Sequence, residues 1–226
     1  MTEKNKVILA GNAITAGLLY SYLRVDNRYE VLGLTVDDEF LSQGVVSGLK
    51  AVGLSRIKES FPSESCRVIM AVGYNDLNRV RESLFMRLKG MGYEIESYVH
   101  PDARVYTAIP LGEGCIILPA AVIEPHASVG ANSMIWCNVT LAHNSIVAEN
   151  CWIAAGTVVS GQAKVLRNSF VGVNATIVND VTVEAYNIVG ASALISKCTK
   201  PHAVNLARSA EPFRYSSEDY VKYFGI

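Results

Sequence analysis

The segment "LAHNSIVAENCWIAAGTVVSG", residues 141–161, carries an aliphatic residue at every sixth position. These residues are Leu141, Val147, Ile153 and Val159. A period of six fits neither an α-helix, which repeats near 3.6 residues, nor the simple alternation of an ordinary strand. The segment therefore predicts a repeat architecture in which each hexad forms one small structural unit.

The hexad pattern extends well beyond this segment. Between residues 99 and 195, seventeen consecutive positions spaced by six are all Val, Leu or Ile, and the position four places later is mostly small, as at Ala127, Ser145 and Cys151. A solenoid with three flat sides explains both columns, because aliphatic side chains point inward while small residues fill the narrow corners. Eighteen residues then make one coil, and seventeen hexads make between five and six coils. Four glycines directly after aliphatic positions are expected to relieve backbone crowding: Gly112, Gly130, Gly172 and Gly190.

The first part of the chain has a different pattern, in which strands alternate with helices. "KVILAG" predicts a buried strand, followed by a loop from Gly11 to Gly17 and a helix to about Arg24. "EVLGLTVDD" and "CRVIMAVG" predict two further strands, and a helix is expected from about Asp76 to Lys89 with Asp76 as its N-cap. This order predicts a small Rossmann-like α/β domain with a parallel sheet.

The two periods divide the chain into three parts. Residues 1–97 form the predicted α/β domain and residues 98–200 the predicted β-helix. Residues 201–226 lose the hexad period and are expected to form a tail or cap, with a short helix at "SSEDYVKYF".

Composition excludes several classes of protein. Half of the 226 residues are hydrophobic, yet no uncharged apolar run approaches the length of a membrane span, and the N-terminus is expected to be a strand, not a signal peptide. A net charge of −1 gives no support for binding nucleic acid or an anionic membrane. Five cysteines without a CxxC motif predict reduced thiols in the cytoplasm and no metal site, with Cys115 and Cys151 as packing residues.

The hexad run resembles the left-handed parallel β-helix of the hexapeptide-repeat acyltransferases. Together with the α/β domain it resembles the sialic-acid O-acetyltransferase-like proteins and the bacterial N-acetyltransferases that act on nucleotide-linked 4-amino-sugars. The motifs are "VILAG", "VDD", "AVGYNDLNRVRE", "VHPDARV" and the hexads through "IVGASALISK". The resemblance implies a homotrimer with active sites at subunit interfaces, acetyl-CoA along the β-helix, and a nucleotide-sugar held by the N-terminal domain.

The resemblance also assigns residues to roles. His143 falls on the catalytic general base, and Asn144 stands where the family has an acidic residue that orients this base. Backbone carbonyls and Glu149 are the other candidates for that orienting role. Trp152 stands where a second histidine contacts the thioester end of CoA, and Lys197 is a candidate for the CoA phosphates, together with Lys200 and Arg208. The residues that match the lining of the pantetheine arm are Gly161, Gly172, Val173, Gly190 and Ala191.

The ends of the predicted strands supply the candidate nucleotide-sugar site. Asp37 follows the second strand, where dinucleotide-binding folds place a residue that bonds a ribose hydroxyl. The alternative is that Asp37 and Asp38 merely cap a loop. The loop after the first strand lacks GxGxxG, which disfavours an NAD-dependent enzyme. The candidate crevice residues are Gly11, Asn12, Ala13, Asp37, Asp38, Gly73 and Asn75.

The leading hypothesis is acetyl-CoA-dependent acetylation of the amino group of a nucleotide-linked amino-sugar for surface-glycan biosynthesis. Acetylation of a sugar hydroxyl, and a non-catalytic trimeric sugar-binding module, are the alternatives.

Of the four histidines, only His143 lies in the hexad that matches the family motif, and His126 is expected at the surface. Trp136 and Trp152 are expected on the outside of the rod, where their burial between copies would stabilise a trimer.

Overall fold

A computed structural model describes residues 4–43 and 48–225. The N-terminal domain is built on a parallel sheet of four strands in the order β3-β2-β1-β4. The strands are β1 Asn5–Ala10, β2 Tyr29–Val36, β3 Ala51–Gly53 and β4 Arg67–Met70. The helices are α1 Ile14–Leu23, α2 Ile57–Ser60 and α3 Arg79–Gly90, and Asp38–Gln43 and Leu54–Arg56 are 3₁₀ turns.

Helix α3 begins three residues later than the sequence predicts. Asp76, Leu77 and Asn78 have φ values of 49°, 50° and 61°, so their backbone is left-handed and cannot belong to a right-handed helix. Asp76 forms an ion pair with Arg79 at 3.1 Å, and the helix has no side-chain cap. The prediction of Asp76 as N-cap was therefore wrong.

Beyond residue 97 the chain forms a three-sided rod of parallel coils. Every coil contributes two-residue strands that pair with strands one coil away. The first face holds Tyr98–Val99, Ile116–Ile117, Met134–Ile135, Trp152–Ile153, Phe170–Val171, Ile188–Val189 and Val204–Asn205. The second face holds Arg104–Val105, Val122–Ile123, Thr140–Leu141, Val158–Val159, Thr176–Ile177 and Leu194–Ile195. The third face holds Ser128–Val129, Ile146–Val147, Lys164–Val165 and Thr182–Val183.

The hexad positions point into the rod, as the period predicts. Ile135, Leu141 and Ile153 are completely buried, and they belong to one core cluster with the small-column residues Cys151 and Ala163. The first coil is the exception. Val105 is 36% exposed, because its strand lies at the edge of the second face and has a neighbour on one side only.

From Gly114 to Ser192, each corner of the rod turns through one residue with a left-handed backbone, three positions after an inward aliphatic residue. Asparagine dominates this column because its short polar side chain tolerates the left-handed region better than most. This second regularity was not predicted from the hexad pattern. The asparagines with φ between 55° and 59° are Asn132, Asn138, Asn144, Asn150, Asn168 and Asn174.

The N-terminal domain packs on the outward side of the first face. Trp152 is only 4% exposed and lies in one core cluster with residues of β1, β2 and α1. The ring of Tyr74 contacts the ring of Trp152 at a centroid distance of 5.1 Å. The ring of the half-buried Trp136 lies 5.4 Å from that of Trp152, also measured between centroids. The expectation that Trp152 is exposed on the rod was wrong, because the chain's own first domain covers it.

Arg81 links the two domains from a completely buried position. Its guanidinium donates to the carbonyl oxygens of Met70 at 3.1 Å, Val72 at 3.0 Å and Asn132 at 2.9 Å. Burial lowers the pKa of Arg81 to about 10, which still leaves the side chain charged at neutral pH. The end of β4 is thereby fixed to a corner of the rod.

The C-terminal segment carries helix α4, Ser217–Phe224. Ser216 caps this helix by accepting from the Asp219 amide at 3.1 Å. None of its residues is buried, and Leu194 and Leu206 at the end of the rod stay exposed. Within the described ranges, no helix is long and apolar enough to cross a membrane.

The orientation of the hexad predicts different costs for the same substitution. Ile135 is fully buried and Ile146 is 37% exposed on the outer side of the third face. Ile135→Ala is expected to lower the free energy of unfolding by about 2–5 kcal/mol, and Ile146→Ala by less than about 1 kcal/mol. Urea unfolding measures both, and equal losses would contradict the assigned inward and outward positions.

Candidate functional site

His143 lies on an exposed corner between the second and third faces. It follows the strand Thr140–Leu141, and the left-handed residue Asn144 completes the turn with φ 59°. Nδ1 of His143 is 3.2 Å from Oδ1 of Asn144. The left-handed corner thus explains why asparagine occupies this position, and it also aims the amide at the imidazole.

The contact with Asn144 determines which ring nitrogen faces a ligand. An amide oxygen only accepts hydrogen bonds, so Nδ1 of a neutral His143 carries the proton. Nε2 is then left as an acceptor with a free lone pair. His143 and Asn144 together form a proton acceptor of defined orientation at the surface of the rod.

Gly161 stands directly against the imidazole, one coil beyond His143. A Cβ placed on Gly161 would lie 2.7 Å from both Cε1 and Nε2 of the ring. Gly161 was singled out as a candidate for the CoA arm, and the structure places it against the candidate base. The absence of a side chain at residue 161 leaves the space in which the ring lies.

Glu124 is a member of this corner that the sequence analysis missed. Its Oε2 accepts from the backbone amide of His143 at 2.7 Å. The two residues are nineteen apart, one coil plus one position, so the hexad register contained the signal. Glu149, the alternative orienting residue, lies on the corner between the third and first faces, where its carbonyl accepts from Asn168.

The other histidines occupy different environments. His126 fills the left-handed corner position one coil before Asn144 and is exposed, as expected. Nδ1 of His100 accepts from the amide of Asp102, and the ring of His202 stacks on Tyr186. No group of three or more potential metal ligands occurs among the residues that the structure describes.

The remaining CoA candidates lie away from His143. Gly172, Val173, Gly190 and Ala191 lie together on the corner between the first and second faces. A Cβ on Gly172 would come within 2.6 Å of the Ala191 amide nitrogen, so coil stacking alone requires this glycine. The remaining candidates are elsewhere in the chain. Trp152 is buried on the first face, and three exposed basic residues follow the last strand of the second: Lys197, Lys200 and Arg208.

The candidate crevice residues lie at or near the ends of β1, β2 and β4. Gly11 has φ 133°, and a Cβ there would lie 2.6 Å from the Ala71 carbonyl oxygen, so only glycine fits between the two strand ends. Asn12 donates to the Phe40 carbonyl oxygen at 2.8 Å. The three other loop candidates, which are partly or fully exposed, are Ala13, Gly73 and Asn75.

The two aspartates after β2 have different partners. Asp38 accepts from the Ser55 hydroxyl at 2.6 Å, and this hydrogen bond lowers the pKa of its carboxyl group. Asp38 therefore holds a loop, as the capping alternative predicts. Asp37 receives both arms of Arg87, at 2.6 and 2.9 Å, and this hydrogen bonding raises the pKa of the guanidinium. Arg87 is a further residue of the crevice that the sequence analysis missed.

Two of the buried thiols, those of Cys115 and Cys151, are excluded as nucleophiles. Burial raises the pKa of Cys115 to about 11 and that of Cys151 to about 12. Both side chains therefore stay protonated at neutral pH, and only the thiolate form is reactive. They fill the narrow corners of the core, as their place in the small-residue column predicts.

The fold defines a class: a small parallel α/β domain joined to a left-handed parallel β-helix. A histidine-to-asparagine mutant of perosamine N-acetyltransferase from Caulobacter crescentus, in complex with CoA and GDP-perosamine, superposes with a TM-score of 0.78 at 22% identity, over 90% of this chain and 94% of that one. WeeI from Acinetobacter baumannii AYE gives a TM-score of 0.76 at 16% identity, over 89% and 96%.

A third solved structure has a similar fold. The acetyltransferase domain of PglB from Neisseria gonorrhoeae FA1090, in complex with acetyl coenzyme A, gives a TM-score of 0.60 at 21% identity, over 93% of this chain and all of that one. No protein-family model and no curated sequence matches the chain. At these identities the likeness shows the fold, and the predicted fold class is confirmed.

The contact between Gly161 and the imidazole leads to a prediction about His143. Gly161→Ala is expected to displace the ring and break the bond from Nδ1 to Asn144, because the new methyl group and the ring cannot share the space. Stability should change by less than about 1 kcal/mol, since the ring can move while the backbone stays. Nitrogen-15 NMR of His143 should show a loss of the Nδ1-protonated tautomer.

Gly17→Ala serves as the control for this experiment, because nothing lies within 4 Å of the position of its Cβ. It should leave the His143 signals unchanged. An unaltered tautomer in Gly161→Ala would show that the ring does not rest on Gly161.

Proposed function

We propose that this protein transfers an acetyl group from acetyl-CoA to the amino group of a nucleotide-linked amino-sugar. The observation that carries the proposal is the His143 corner, where Asn144 fixes Nδ1 and leaves Nε2 as a proton acceptor. Solved structures of the same fold supply the substrate classes: one is in complex with CoA and GDP-perosamine, and another with acetyl coenzyme A. In the first, a histidine was replaced by asparagine.

The proposed chemistry needs one base. The amine nitrogen attacks the thioester carbon and forms a bond to it, while Nε2 of His143 takes a proton from the nitrogen. Collapse of the tetrahedral intermediate breaks the carbon–sulfur bond, and the proton on His143 passes to the CoA thiolate as it leaves. Asn144 stabilises the imidazolium through a neutral carbonyl oxygen, which is a weaker interaction than a carboxylate offers.

The positions of the candidate residues support an active site between copies. His143 lies on one corner, and Gly172, Val173, Gly190 and Ala191 lie on another, across the second face. Acetyl-CoA lying along the second corner of one subunit reaches the His143 corner of a neighbouring subunit in a homotrimer. The second and third faces are free for this association, since the N-terminal domain covers the first face.

The crevice at the ends of β1, β2 and β4 is the proposed site of the nucleotide. Asp37 with Arg87 and the loop at Gly11 face it. We place the reaction in the cytoplasm, in the synthesis of a surface glycan. Acetylation of a sugar hydroxyl remains the second candidate, because a histidine base serves that acceptor equally well.

The function is tested by measuring thiol release from acetyl-CoA with paired nucleotide-sugars. The panel contains GDP-, UDP- and dTDP-linked 4-amino-4,6-dideoxyhexoses, each with its 4-hydroxy counterpart. Transfer to an amino-sugar is expected. Transfer only to the hydroxyl compounds would favour the second candidate, and no transfer to any, with intact sugar binding, would favour a binding module.

His143→Ala is expected to lower kcat at least a hundred-fold, because general-base catalysis contributes about 10²–10⁴-fold. Thermal stability and acetyl-CoA affinity should stay near those of the wild type, since the side chain is exposed. His126→Ala, one coil away and equally exposed, is the matched control and should retain activity. Retained activity in His143→Ala would move the base elsewhere.

Asp37→Ala is expected to weaken binding of the nucleotide-sugar about ten- to hundred-fold, since a hydrogen bond to a charged group contributes about 1.5–3 kcal/mol. Acetyl-CoA affinity should not change. Arg87→Met removes the ion pair and keeps the carboxylate, so it separates ribose binding by Asp37 from support by Arg87. Calorimetry measures both, and unchanged nucleotide-sugar affinity in Asp37→Ala would remove Asp37 from the site.

A further inference from the structure

The corner that carries His143 differs from its equivalents in adjacent coils. The equivalent residue one coil earlier is Pro125, which has no amide hydrogen. In the two following coils it is Gly161 and Asn179, and within the described ranges neither amide has a protein partner. The His143 amide alone in this series donates to a side chain, that of Glu124, at 2.7 Å.

The carboxylate of Glu124 is only partly used by its hydrogen bond to the His143 amide. Its Oε2 is engaged by the His143 amide, while Oε1 has no hydrogen-bond partner among the described residues. The side chain is half-buried and takes part in none of the ion pairs found in the described part of the chain. A carboxylate with one free oxygen and no cation partner therefore lies beside the proposed base.

The register places this charge one coil from the residue that serves the acceptor. Neighbouring coils are about 4.8 Å apart, so Glu124 and His143 share one small surface. A carboxylate attracts an ammonium group several times more strongly near a protein surface than in bulk water. A neutral hydroxyl group receives no such attraction.

We propose that Glu124 determines specificity for an amine acceptor by binding the protonated amino group of the sugar beside His143. This inference rests on the proposed acetyl transfer and names the feature that selects nitrogen over oxygen. The bound ammonium loses its first proton to bulk water. The second passes to Nε2 of His143 as the nitrogen attacks, so Glu124 is not itself the base.

Glu124→Gln separates charge from hydrogen bonding. Glutamine still accepts from the His143 amide through its carbonyl oxygen but carries no charge. Glu124→Ala removes both features. Glu149→Gln is the matched control, because Glu149 is an exposed glutamate on a different corner of the rod.

The experiment uses the full chain and the paired nucleotide-sugars of the thiol-release panel. The wild type should bind the amino compound at least ten-fold more tightly than its 4-hydroxy counterpart. Glu124→Gln should raise KM for the amino compound at least ten-fold, with KM for acetyl-CoA, the inhibition constant of the hydroxy compound and the melting temperature unchanged. Glu149→Gln should behave as the wild type.

Other outcomes separate the two proposals. An unchanged preference for the amine in Glu124→Gln overturns the role of Glu124 while acetyl transfer stands. A lowered melting temperature with unchanged preference in both Glu124 variants shows that the residue only holds the corner. If the wild type acetylates no sugar in the panel, the proposed function fails, and the inference about Glu124 fails with it.

Discussion

Hydrogen bonding between coils is the constraint on which the structure depends. It fixes each residue directly above the one eighteen positions earlier, as Thr140 pairs with Val122 on one side and Val158 on the other. The core and the candidate site both follow from this register. Glu124, His143 and Gly161 are distant in sequence, yet they meet because they lie on successive coils of one corner.

The same register explains why side chains at the site need little support from elsewhere. The backbone of each corner is held by bonds to the adjacent coils, such as that from the Gln162 amide to the His143 carbonyl oxygen at 3.0 Å. A histidine on such a corner starts from a rigid main chain, so one contact from Asn144 and one glycine below the ring set its orientation. Orienting the side chain in this way costs little conformational entropy, because the fold already requires an ordered main chain at the corner.

The rod could be predicted from the sequence because a period along the chain is enough to define it. The hexad period determines which residues point inward, and it placed Ile135 and Leu141 in the core without any knowledge of distant contacts. The position of Trp152 could not be obtained this way. Its burial depends on the docking of the N-terminal domain through Tyr74 and Arg81, a contact between separate parts of the chain that no local period encodes.

The candidate site could likewise be predicted from the sequence only in part. His143 was identified through a family motif, while its neighbour Glu124 was missed although the spacing of nineteen residues placed it one coil away. The ion pair of Asp37 and Arg87 joins the end of a strand to a helix fifty residues later. No pattern in either segment predicts this contact. The hexad register thus contains the information for contacts between coils, such as that of Glu124 with His143, but not for contacts such as that of Asp37 with Arg87.

The eighteen-residue coil also restricts how such a chain can change in length. Removing a single hexad would move every later residue to a different face. Inward residues would stay inward, while residues on either side of the deletion, such as Glu124 and His143 if the hexad between them were removed, would lose their neighbours on the adjacent coil. Removing a whole coil preserves each face and shortens the rod by one step. The distance between the α/β domain and any residue along the rod can therefore change only in steps of one complete coil.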